Sequence, residues 1–135
     1  MKIFSLLLLT TMLALLSVHD SFSQRSETEF NDGFQTGNAD VLSAHFNERL
    51  QMTIMSADYR LSKAQATEIL RDFFKKYPPV SYSVLFKGNK KDSNFTVGKL
   101  VTKSGSFRVT VFFGKIDNKN LIHLLEIEKE NESKF

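Results

Sequence analysis

The sequence predicts an α+β domain, and three observations carry that reading. One strongly amphipathic helix is centred on residues 62–77. Four segments after Pro79 alternate apolar and polar residues at strand period, and short polar or glycine-bearing turns separate them. Of the 135 residues, 41% are hydrophobic and 24% charged, which fills one small core and leaves nothing for a second domain. The absence of cysteine excludes disulfides, thiolate zinc sites and a cysteine nucleophile. A formal charge of +3, scattered along the chain, points to neither a nucleic-acid partner nor attachment to a membrane surface.

Residues 1–23 read as a signal peptide. Met1-Lys2 is a short positive start, and the apolar run Leu6 to Leu16 follows it. As a helix that run covers about 16 Å, roughly half the hydrocarbon thickness of a bilayer, so a membrane span is the weaker reading. Ser21 and Ser23 place small residues at −3 and −1 of a cut before Gln24. The expected mature protein is exported, to the periplasm or beyond, as one domain over 24–128 with a flexible tail over 129–135. Without cysteine its stability must come from packing, and 11 of the 13 phenylalanines lie in that mature part.

Two short helices come first. Phe30 and Phe34 sit four apart on one helical face, with Gly37-Asn38 as the stop. Asp40 is the expected cap of a second helix with Val41, Leu42, Ala44, His45 and Phe46 facing inward. Leu50, Met52 and Ile54 then alternate as a half-buried strand. Ser62-Lys63-Ala64-Gln65 is a capping box, and Ala66, Ile69, Leu70, Phe73, Phe74 and Tyr77 form the apolar stripe of the long helix it opens. Tyr77-Pro78-Pro79 ends that helix, because proline lacks the amide donor and disfavours helix before it.

The remaining chain reads as a four-stranded antiparallel meander. The expected inward residues are Val80, Tyr82, Val84 and Phe86; then Phe95, Val97 and Val101; then Phe107, Val109, Val111 and Phe113; and last Leu121, His123, Leu125 and Ile127. Asn89–Ser93, Ser104-Gly105 and Asp117–Asn120 are the turns. Gly98 marks a bulge or a close backbone approach. Leu85, Leu100, Phe112, Ile116, Ile122 and Leu124 fall on the opposite parity. An apolar second face of this kind implies a subunit contact, here a homodimer through the outer sheet face.

The run Gly37-Asn38-Ala39-Asp40-Val41-Leu42, the segment from Ser62-Lys63-Ala64-Gln65-Ala66 to Asp72-Phe73-Phe74, Lys87-Gly88, Phe95-Thr96-Val97-Gly98-Lys99-Leu100 and Gly105-Ser106-Phe107-Arg108-Val109 together resemble an exported bacterial family of unknown function. That family is similar to the nuclear transport factor 2-like (cystatin-like) superfamily. The resemblance implies a helix-lined cone closed by a curved sheet, and it covers nearly the whole mature chain. Phe86 stands where the family pattern has a histidine before Lys87-Gly88. Superfamily relatives include isomerases, dehydratases and cyclases as well as binding modules, so fold alone selects no activity.

The candidate site residues follow from what a cone could use. His123, with the inward parity expected of it, could serve as a general base, although a hydrogen-bonded core histidine is the plainer reading. Asp58 and Tyr59 lie in the connection before the capped helix and could reach the mouth of the cone; a turn residue beside a packed tyrosine is the plainer reading there. Tyr82, Phe86, Phe95 and Phe74 could line an apolar ligand pocket, or simply be core. No phosphate loop, serine elbow or zinc-protease helix is present, and no cofactor or metal is expected. The expected function is an exported, non-catalytic cone-shaped binding domain for a small apolar ligand or an envelope protein partner. The alternative is a cofactor-free isomerase, dehydratase or cyclase in which His123 or Asp58 moves a proton and Tyr59 or Tyr82 donates to an oxyanion. Whether the cone is hollow, or plugged by Phe73, Phe74, Tyr82 and Phe86, separates pocket readings from surface recognition.

Overall fold

A computed structural model of the protein describes residues 20–90 and 93–131. Most of the expected signal peptide, Lys91 and Asp92 of the expected first turn, and the end of the expected tail therefore lie outside the described residues. The elements run α1 (Asp20–Thr36), α2 (Ala39–Ser43), β1 (Phe46–Ile54), β2 (Ala57–Ser62), α3 (Lys63–Lys76), β3 (Pro79–Lys90), β4 (Ser93–Thr102), β5 (Gly105–Ile116) and β6 (Lys119–Lys129). The α+β class is as expected. The sheet has six strands in the order β2-β1-β6-β5-β4-β3, where a separate strand and a four-stranded meander were expected. It is mixed, since β1 runs parallel to β6 and every other neighbouring pair is antiparallel.

The three helices cover one face. Gly37, at a φ of 66°, turns the chain out of α1, and the Asn38 amide donates back to the Gly33 carbonyl at 2.8 Å. Asn38, rather than Asp40, caps α2: its side-chain oxygen accepts from the Val41 amide at 3.2 Å. The helix stops at Ser43, so Phe46 opens β1 instead of closing the helix. The capping box at Ser62 and Gln65 forms as expected, and Ala66, Leu70, Phe73 and Phe74 are buried while Ile69 and Tyr77 pack at the margin. Arg71, on the outside of α3, bridges Glu68 in its own helix and Asp40 of α2.

β2 runs where the sequence predicts a connection. It pairs with β1 through a two-residue hairpin, Met55-Ser56, in which both residues have positive φ (47° and 70°). Such turns usually declare themselves by Asn or Gly; Met-Ser carries no such signal. The strand itself, ADYRLS, is exposed along four of its six residues and so shows no alternation.

β3 and β6 depart from simple alternation, and β4 alternates with the parity opposite to the expected one, so all three move expected side chains. In β3, Val80 and Leu85 are extra residues with no partner on β4, so Tyr82 and Val84 point to the helices while Val80 and Phe86 turn outward, 56% and 58% exposed. In β4 the core parity is that of Gly98, Leu100 and Thr102; Phe95, Val97 and Val101 lie on the other face, because Gly98 and not a large residue meets the buried ring of Tyr82. In β6 the pairing steps from Phe112–Leu124 to Phe113–Ile122, which leaves His123 as the extra residue. Ile122, Leu125 and Ile127 are buried, His123 is exposed and Leu121 is half-buried. Leu100 and Ile122 thus belong to the core and not to the second face. β5 keeps the expected parity, with Phe107, Val109 and Val111 fully buried.

Aromatic rings fill the space between helices and sheet. Phe34 of α1 stacks on Tyr82 at 4.8 Å and meets Phe74 edge-on at 6.2 Å. Phe73 packs edge-on against Phe74, at 5.7 Å, and against Phe107, at 5.2 Å. Phe30 continues the cluster to Phe113 and His45, both at 5.6 Å. Removing the Phe73 ring should therefore destabilise the fold by about 3–5 kcal/mol; an unchanged denaturation midpoint for Phe73→Ala would contradict the packing described.

His45 is half-buried against Phe30, and burial lowers its pKa below the ordinary 6.5, with Glu29 opposing and Lys63 assisting the shift. The unfolded chain then holds the proton more readily than the folded one, so His45 costs stability as the pH falls through about 6.5. His45→Gln should flatten the decline of melting temperature between about pH 7 and about pH 5; parallel profiles for the two proteins would show that His45 carries none of it.

Candidate functional site

The interior of the cone is where pocket chemistry was expected. Tyr82 and Phe74 are in it, both buried. The Tyr82 ring lies flat over Gly98, where a Cβ would come within 2.3 Å of its hydroxyl oxygen. That hydroxyl is buried, has no hydrogen-bond partner among the described residues, and burial pushes its pKa up. Among the described residues the other buried polar side chains are Thr67 and Thr102. Thr67 donates to the Lys63 carbonyl and Thr102 to the Gly105 carbonyl, so each is satisfied locally.

The remaining candidates are elsewhere. Asp58 and Tyr59 are neighbours on β2, and neighbouring strand residues face opposite sides. Asp58 accepts a 2.6 Å hydrogen bond from the Thr53 hydroxyl on the outer face, and Tyr59 is 39% exposed beside Met52 on the helix side. His123 sits on the outer face because of the β6 irregularity. None of these three reaches Tyr82, so the structure does not bring the expected acid–base partners together.

What it does bring together is a row on the outer face. Phe86 of β3 meets Phe95 of β4 at 5.7 Å, Phe95 meets Phe112 of β5 at 5.6 Å, and the His123 ring lies 6.4 Å from Phe112. Four successive strands thus each contribute one ring. Phe95 can lie across the β3 edge because Gly88, its cross-strand partner, has no side chain; a Cβ there would stand 2.3 Å from the ring. Leu85, 59% exposed, adds to the apolar end of the row beside Phe86. Alternation alone placed Phe112 and Leu85 on this face. Phe86, Phe95 and His123 were missed, since the irregularities that turn the first and last of them outward carry no composition signal.

Beyond His123 the same face changes character. β1 and β6 part there, and an open groove of about 260 Å³ is lined by Arg49, Leu50, Gln51, Arg60, Leu61 and His123. No group of three His, Asp or Glu side chains that could hold a metal ion occurs among the described residues. Lys87 is paired with Glu27 of α1.

The Domain of unknown function (DUF4783) family model matches residues 28–128. The crystal structure of a DUF4783 family protein from Bacteroides ovatus is 30% identical, with a TM-score of 0.74 over 77% of this chain and 94% of that one. A domain of unknown function with a cystatin-like fold from Nostoc punctiforme aligns at TM-score 0.64 and 11% identity, over 87% of this chain and 80% of that one. An NTF2-like protein of unknown function from Cytophaga hutchinsonii aligns at TM-score 0.56 and 10% identity, over 79% of this chain and 88% of that one. Among curated proteins nothing matches. The chain therefore belongs to the DUF4783 family and has the cystatin-like, nuclear transport factor 2-like α+β fold.

Proposed function

We propose that this protein is an exported, non-catalytic recognition domain that works through its outer sheet face rather than through the inside of its cone. The ring row Phe86–Phe95–Phe112–His123 carries this reading: a continuous strip on a sheet face that no helix covers is the usual mark of a contact surface. The partner is a second copy of the chain. A two-fold contact must be self-complementary, and beside the ring row Arg108 stands opposite Glu128 and Lys99 pairs with Glu130 at 3.7 Å, so two copies meet apolar strip to apolar strip without a net charge to oppose them. The ring packing of Phe34, Phe73, Phe74 and Tyr82 supports the same reading, since these buried side chains take up space an apolar ligand would need.

Sedimentation equilibrium of residues 24–135 at micromolar concentration should give a dimer. Phe95→Glu should give a monomer with an unchanged circular dichroism spectrum. A wild-type monomer that persists at high concentration would remove the dimer.

A catalytic reading would rest on the Tyr82 hydroxyl as an oxyanion donor. With no acid or base beside it, that hydroxyl is better explained as the cost of placing a flat ring over Gly98. Deleting a buried hydroxyl that has no partner is neutral or stabilising, by up to about 1 kcal/mol. Tyr82→Phe should accordingly keep or raise the melting temperature, whereas a clear loss would mean that the hydroxyl bonds to something inside the cone.

A further inference from the structure

We propose that the groove where β1 parts from β6 is a binding site for a small oxyanion, a phosphate ester or a carboxylate, held by Arg49 and Arg60 with Gln51 and His123 as flanking donors. This goes beyond the dimer reading, with which it shares His123, and the anion titration is read apart from the oligomeric state.

Two independent irregularities open the groove. Phe46 and Gln51 of β1 face Ile122 and Leu124 of β6, so five steps of one strand are set against two of the other, and the chain between them leaves the ladder. At the same level His123 is the unpaired residue of β6 and turns outward. Extra residues of this kind re-aim side chains, and here they aim a ring donor at the groove.

The charges converge without being answered. Gln51 stands directly opposite Arg60, and Arg49, two residues before Gln51, shares its face, which makes Arg49 and Arg60 diagonal neighbours across the β1–β2 pair. Diagonal pairs are roughly 7–8 Å apart, close enough for like charges to repel. Among the described residues neither guanidinium has a hydrogen-bond or ion-pair partner. Of the acids along these strands, Glu48 is exposed next to Arg49 in β1 and pairs with neither guanidinium, Asp58 accepts from Thr53, and Glu126 stands opposite Thr53 and Thr110.

One oxyanion between the two guanidiniums replaces repulsion with charge-assisted bonds, which planar arginine forks make to carboxylate and phosphate alike. The volume, about 260 Å³, suits a single headgroup with a short stem; pockets for larger ligands generally start at about 300 Å³.

The test is titration of the full mature chain, followed by amide and imidazole chemical shifts, with inorganic phosphate, with acetate, and with chloride at matched ionic strength. Saturable shifts at Gln51, Arg60 and His123 with phosphate or acetate are expected. Saturation by phosphate alone assigns the site to phosphate esters; saturation by acetate as well extends it to carboxylates. Arg60→Gln and Arg49→Gln should each weaken binding at least tenfold with an unchanged melting temperature. Lys99→Gln, on the same face but away from the groove, should leave it unchanged. Absence of saturation with both anions, equal shifts with chloride, or equal weakening by Lys99→Gln would overturn the proposal.

Discussion

Tyr82 lying flat over Gly98 beneath Phe34 is the contact on which the rest of the molecule depends. It lets α1 approach the sheet closely, because a glycine on β4 leaves room for a whole ring where a side chain would otherwise project. Once Phe34 is seated there, Phe74 meets it from α3, Phe73 meets Phe107 from β5, and the concave side of the sheet is filled by rings. The same arrangement explains a buried hydroxyl without a partner. The energy of ring burial, on the order of 2–3 kcal/mol for each large apolar side chain, outweighs one unsatisfied hydroxyl costing about 1–3 kcal/mol once several rings share the site.

Much of this was legible in the residues, and where it was not the reason is local. The long helix declared itself because capping and stripe agree: Ser62 and Gln65 fix its start, and Ala66, Leu70, Phe73 and Phe74 repeat at helical period. β5 was equally clear, since no register break interrupts Phe107 to Val111 and alternation maps directly onto burial. β2 was illegible because Met55 and Ser56 adopt left-handed backbone without the residues that normally signal it. Its parallel companion pairing, β1 on β6, joins segments far apart in the chain, and periodicity carries no information about which strands meet.

Two of the misplaced candidates, Phe86 and His123, share one physical reason, while Phe95 lies outside because Gly98 takes the inner parity of β4. A strand has period two, so a single extra residue exchanges its faces from that point on. Leu85 does this to Phe86, and His123 does it to itself and to Leu121. Read by parity, all three belonged inside. The functional consequence is large, because the expected general base and two of the four expected ligand-pocket residues, Phe86 and Phe95, leave the cone, and the place to look for function moves with them.

The irregularities have two faces, and this links the core to the surface. A bulge increases local twist and bends the strand that carries it. In β3 and β6 the extra residue re-aims the side chains next to it. Phe86 and His123 are therefore displayed on the outer face by the geometry that packs Tyr82 and Ile122 within. At one end that display meets Phe95 and Phe112 and becomes apolar; at the other it meets Arg49 and Arg60 and becomes basic. Two chemistries thus meet on one sheet face, placed there by the same few extra residues that set which side chains enter the core.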